Sequence, residues 1–143
     1  MTYRLAFTED PAELLSTASE FLAAEPVVST VMSTFTERLA RERAEGKPAP
    51  PHPCWWVTVH EGDRVVGVAM RTAPFEPHPM FVLPMPDDAA RAIADAIAAR
   101  EEEVVGVNGA LPAAEVLART LAVHYGGTAE IQRNIIAKAM FGL

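Results

Sequence analysis

CWWVTVHEGDRVVGVAMRT, residues 54–72, reads as two strands folded on a tight turn. Alternation sends Trp55, Val57 and Val59 to one face and Trp56, Thr58 and His60 to the other, up to the turn at Glu61, Gly62 and Asp63. On the return, Val66, Val68 and Met70 share one face, and Val65, Gly67 and Ala69 the other. Both faces are largely apolar, so the hairpin is expected at the centre of a sheet covered on two sides.

Outward from the hairpin, the segments before it read as a strand and two helices. Tyr3, Leu5 and Phe7 alternate with Arg4, Ala6 and Thr8. Asp10 is a good N-cap, Pro11 suits the first helical position, and Glu13 completes a variant of the capping box. Leu14, Leu15, Ala18, Phe21 and Leu22 form the buried stripe of that helix until Pro26 interrupts it. Val28, Val31, Met32, Phe35 and Leu39 make the stripe of the second helix, which ends at Gly46. KPAPPHP, residues 47–53, is too rich in proline for helix or inner strand and leads into the hairpin as a loop.

After the hairpin, PFEPHP forms a second proline-rich link and MFVLP, residues 80–84, suits a short strand. Pro86, Asp87 and Asp88 open a third helix, with Ala90, Ile93, Ala94 and Ile97 facing inward. A strand is expected from Val104 to Val107, ending at Asn108 and Gly109. Pro112 starts a fourth helix with Val116, Leu117, Thr120 and Leu121 on its inner face. The last segment, TAEIQRNIIAKAMFGL, has strand character. The expected order is β-α-α-β-β-β-α-β-α-β: an α/β (α+β) fold with a mixed central sheet and helices on both faces, forming a single domain over residues 1–143.

The chain of 143 residues is the length of one domain, and 50% apolar with 22% charged residues is the balance of a globular protein. No apolar run approaches the ~20 residues of a bilayer-spanning helix. The first residues, acidic by position 9, lack a signal peptide's basic start and apolar core, so a cytoplasmic location is expected. The single cysteine, Cys54, fits a reducing compartment. A net charge of −7 argues against nucleic acid or an anionic membrane as the main partner.

Candidate chemistry is sparse. Cys54 with His52 or His60 would be a thiol nucleophile and its base, against the plainer reading of a buried thiol. The four histidines, His52, His60, His78 and His124, show no metal-ligand spacing, and no metal site is assigned. Glu61 and the run Glu101, Glu102 and Glu103 offer carboxylates for a general base, though such runs at turns and helix ends are usually solvated. Asn108 and Gly109 sit where a strand meets a helix, a place where α/β folds bind anions. One of Trp55 and Trp56 is expected in the core and the other over a cleft or interface. AMFGL, residues 139–143, ends on apolar residues, as a strand packed against a second copy would.

This order of elements resembles the GCN5-related N-acetyltransferase fold. HEGDRVVGVAMR, residues 60–71, is similar to that family's hairpin, and WWV, VVG, PMP and GVNG resemble the N-terminal half of actinobacterial acetyltransferases built from two tandem halves. The resemblance implies acetyl transfer from acetyl-CoA to a small-molecule or peptide amine, with a second half-domain or a homodimer as partner. By position alone, Leu83, Asn108 and Gly109 are the candidate cofactor contacts; no catalytic residue is assigned. One departure stands out. Where cofactor-binding members carry an Arg/Gln-x-x-Gly-x-Gly/Ala loop, this chain reads Leu83, Pro84, Met85, Pro86, Asp87, Asp88. Prolines lack N–H donors and carboxylates repel phosphate, so this chain alone is expected to be inactive.

Overall fold

The computed structural model describes residues 2–126. Its centre is the hairpin, in which β2 (Trp55–Glu61) pairs antiparallel with β3 (Arg64–Arg71), and nearly every residue of the two strands is buried. β1 (Arg4–Thr8) adds antiparallel to the far edge of β2, and β4 (Met80–Val82) antiparallel to β3. β5 (Val107–Gly109) then pairs parallel with β4, giving a five-stranded mixed sheet in the order β1-β2-β3-β4-β5.

The helices lie on both faces. α1 (Pro11–Thr17), α2 (Ser19–Ala24) and α3 (Pro26–Ala44) cover one, where Leu14, Leu22 and Met32 pack on Trp56, Val68 and Met70. α4 (Asp87–Ala99) and α5 (Ala113–His124) cover the other, where Ile93, Ile97, Leu117 and Leu121 pack on Trp55, Val57 and Val59. The expected division of the first hairpin strand between two faces therefore holds for its apolar residues, with Trp55, Val57 and Val59 on one face and Trp56 on the other.

Five local expectations differ. The return strand carries a bulge: Val59 pairs with Gly67 and His60 with Val65, leaving Val66 without a partner opposite it. Val66 consequently joins Trp55 and Ala69, not Val68 and Met70 as strict alternation predicts. The first expected helix is two, because the backbone at Ala18 leaves helical geometry, so three helices follow β1. α3 is turned so that Ser29, Met32 and Thr36 are buried while Val31 is exposed. Its Thr36 hydroxyl accepts the Trp56 indole N–H at 3.1 Å, and a buried indole N–H requires such a partner.

The fourth difference concerns β5, which begins at Val107 and not at Val104. The segment before it is held by a side chain: the Tyr125 hydroxyl donates to the Glu102 carbonyl at 2.8 Å and accepts from the Val104 N–H at 3.0 Å. At the first helix, Asp10 caps as expected, accepting from the Ala12 N–H at 3.0 Å, but the reciprocal partner is the Thr8 hydroxyl and not Glu13. The expected final strand and AMFGL lie outside the described residues. Among the described residues no helix is long and apolar enough to cross a membrane.

Candidate functional site

The geometry of the junction between β4 and α4 follows from its prolines and carboxylates. Leu83 continues β4: its N–H donates to the Val68 carbonyl at 3.2 Å, and its side chain is 1% exposed within the Trp56 cluster. Pro84 and Pro86 have no N–H. Met85 folds back on β3, so close that a Cβ on Gly67 would lie 3.0 Å from its sulfur. The N–H groups of Ala89 and Ala90 both donate to the Pro86 carbonyl, at 3.0 and 3.1 Å. Those of Met85, Asp87 and Asp88 remain, on a first turn carrying two carboxylates.

Asp88 accepts a hydrogen bond from the Tyr3 hydroxyl at 2.8 Å. That bond, followed by burial and the charges of Asp88 and Glu61, raises the Tyr3 pKa above its ordinary value. Asp88 also lines a groove of about 1060 Å³ whose other charged residues are Glu20, Glu61, Asp63 and Arg64. Four carboxylates against one guanidinium make it a poor place for a phosphate.

β4 and β5 are paired over their whole length. Met80 lies opposite Val107, Phe81 opposite Asn108 and Val82 opposite Gly109. The pairing extends at both ends, with the Met80 N–H on the Gly106 carbonyl at 2.9 Å and the Ala110 N–H on the Val82 carbonyl at 3.1 Å. Gly109, at φ +135°, admits this approach: a Cβ there would overlap the Val82 carbonyl oxygen. Of the three candidate contacts, then, Leu83 is core, Gly109 is a strand-to-strand contact, and Asn108 is half-buried in β5 opposite Phe81. None of the three lines this groove or the cleft at the other end of the sheet.

That second cleft, of about 640 Å³, opens between the start of β2, the end of α3 and the proline-rich loop. Glu102 anchors its inner side, accepting the Trp55 indole N–H at 2.6 Å and an Arg71 guanidinium N–H at 2.7 Å. Arg71 also donates to the carbonyls of His78 (2.8 Å) and Pro77 (3.5 Å), so β2, β3, the second proline-rich link and the α4–β5 connection meet at one ion pair. Arg100 lies over the rings of Phe7, at 4.1 Å, and Trp55, at 5.6 Å.

Cys54 borders this cleft. Burial, then the charge of Glu9, pushes its thiol pKa up, the opposite of what activates a nucleophile. The histidines considered as its base are engaged elsewhere. His52 stacks on His78 with ring centroids 5.9 Å apart, and His60 Nε2 is 2.8 Å from the Thr58 hydroxyl. Among the described residues no three His, Cys, Asp or Glu side chains gather as a metal-binding group.

Sequence reasoning missed the Arg71–Glu102 pair. One signal existed for Arg71, a charged residue that follows the apolar run Val65–Met70 of β3; nothing distinguishes Glu102 from Glu101 and Glu103 beside it. No family model, no curated protein and no solved structure matches this chain.

Proposed function

We propose that this chain is an acetyltransferase-like domain that acts as a non-catalytic half. It supplies a wall or docking surface to an N-acetyltransferase that moves acetyl from acetyl-CoA to an amine. The sequence resemblance supports the ancestry, as does a mixed sheet in which a central hairpin leads through β4 and α4 into a parallel strand. The observation that carries the non-catalytic part is the β4–α4 junction. Pro84 and Pro86 supply no N–H, those of Leu83, Ala89 and Ala90 are taken by the Val68 and Pro86 carbonyls, and the three that remain, of Met85, Asp87 and Asp88, lie beside the carboxylates of Asp87 and Asp88 at the start of α4. These residues do not fit the pyrophosphate of acetyl-CoA. On this reading the cofactor belongs to a second half-domain, and no reaction step is assigned to this chain.

Isothermal titration with acetyl-CoA tests it. No saturable heat is expected from this chain alone, and saturable binding in the micromolar range would refute the reading.

A second reading, a stand-alone binding or oligomerisation module with the same fold, is favoured by the outer face of α3. Val27 there is 79% exposed and Val31 39% exposed, four residues apart on one side of the helix. Sedimentation velocity separates the two: a strictly monomeric chain at high concentration counts against self-association through that face.

A further inference from the structure

We propose that the cleft beside the proline-rich loop binds a small zwitterion: an α-amino acid, or a short peptide, with a large apolar side chain. The proposal is independent of the acetyl-transfer reading, because the cleft lies at the opposite end of the sheet from the β4–α4 junction.

A volume of about 640 Å³ lies within the usual range for small-molecule sites; Leu39 and Cys54 give it half-buried apolar surface, while Trp55 and Trp56, which border it, are buried. Pro48, Pro50 and Pro53 make one wall. Proline fixes φ, so this wall loses little conformational entropy when a ligand settles against it.

Charge then selects the ligand class. Arg43, Lys47 and Arg100 face Glu9, Glu42 and Glu102 around the cleft. Two of the six are committed elsewhere: Glu102 to Arg71 and the Trp55 indole, and Lys47 to Glu45 at 3.7 Å. Arg43 donates to the Glu9 backbone carbonyl at 3.2 Å, and among the described residues it has no carboxylate within 4.0 Å. Arg100 rests on Phe7 and Trp55 and reaches Glu102 at 3.5 Å; a guanidinium stacked in this way keeps N–H edges free for a carboxylate. Glu9 and Glu42, likewise without ion-pair partners among the described residues, are left for an ammonium group. A ligand of one sign meets as much repulsion as attraction here. A ligand carrying both signs can satisfy both sets, with its apolar side chain against Leu39 and the proline wall.

The probe is L-phenylalanine, titrated into the full chain and followed by 15N–1H NMR, with 3-phenylpropionate and phenethylamine as single-charge analogues. Saturable shifts are expected at the Trp55 indole N–H, whose acceptor Glu102 lines the cleft, and through residues 39–54. L-phenylalanine should bind at least about tenfold more tightly than either analogue, one charge-assisted contact being worth about that factor. Arg100→Gln should weaken L-phenylalanine and 3-phenylpropionate but not phenethylamine, and Glu42→Gln should do the reverse. Arg43→Gln repeats the carboxylate arm without disturbing the stack on Phe7. The proposal is overturned if no saturable shift appears by about 10 mM, a concentration reached by even millimolar binders. It is equally overturned if an analogue binds as tightly as L-phenylalanine, or if the shifts fall outside the cleft while each variant keeps the dispersed spectrum of the folded chain.

Discussion

Replacing Gly109 with alanine would test whether β4 and β5 are locked together as their geometry requires. The added Cβ would overlap the Val82 carbonyl oxygen and stand 2.8 Å from Val82 N and 3.0 Å from Val82 C. All three are backbone atoms, so no side-chain rotation relieves the contact. The residue would also have to hold φ near +135°, a conformation costing an L-residue about 1–3 kcal/mol. Separating the strands would weaken the Ala110 N–H to Val82 carbonyl bond and its neighbour in the ladder, at about 1 kcal/mol each. The sum is about 3–5 kcal/mol, or a fall in Tm on the order of 10–20 °C for a domain of this size. Gly62→Ala is the control, since Gly62 also has positive φ, +63°, but nothing within 4 Å of a Cβ; it should cost only about 1–2 kcal/mol. Urea unfolding followed by circular dichroism and tryptophan fluorescence gives both values. If Gly109→Ala is no more destabilising than Gly62→Ala, the strands are not held at this distance and the closed β4–β5 contact is wrong.

Three further expectations follow from buried polar groups. Glu102→Ala removes the carboxylate from an Arg71 side chain that is only 9% exposed; because Glu102 itself is 20% exposed, the loss should be about 2–4 kcal/mol, less than for a fully buried pair, read from urea midpoints. A neutral result would show that the pair contributes nothing to the junction it occupies. Thr36→Val leaves the Trp56 indole N–H unpaired in the core and should cost about 1–3 kcal/mol, with near-ultraviolet dichroism reporting the indole's changed surroundings; unchanged stability would mean that another acceptor serves the indole. Burial, then the charge of Arg4, lowers the His60 pKa. As pH falls below ~6.5 the unfolded chain takes up a proton at this position while folded His60 stays neutral, so stability declines until the folded pKa is reached. His60→Gln should therefore lose less stability than the parent between neutral pH and about pH 5, and identical slopes would contradict the assignment.

The hairpin was legible because Trp55 to His60 alternate cleanly and Gly62 marks the turn. The bulge was not: Val65, Val66 and Gly67 are all compatible with burial, so residue type carried no sign of which one lacks a cross-strand partner. α3 shows a different limit. Periodicity alone places Val31 inward with Met32, but the helix turns Thr36 inward to serve an indole 20 residues away, a requirement that no local pattern contains. The delayed start of β5 has the same origin, since Val104 is held by a tyrosine 21 residues further along. At the candidate site, the missing glycines and the two prolines were readable directly. The occupation of the Leu83 N–H and the close β4–β5 approach were not, because both depend on the register between strands. The Arg71–Glu102 pair required knowing which of three adjacent glutamates turns inward.

That pair has a topological consequence. Arg71 and Glu102 are 31 residues apart, and the chain between them contains β4 and α4 entire. Their contact closes a ring around this unit, with Trp55 tied in from β2 and the Pro77 and His78 carbonyls tied in from the nearer arc. A single backbone cut at the exposed Phe75 would open the ring without releasing either part, because strand pairing and the ion pair both span the gap. The β4–α4 segment is thus fastened at its root as well as along its length, so a partner docking on α4 would push against the central hairpin and not against a loose appendage.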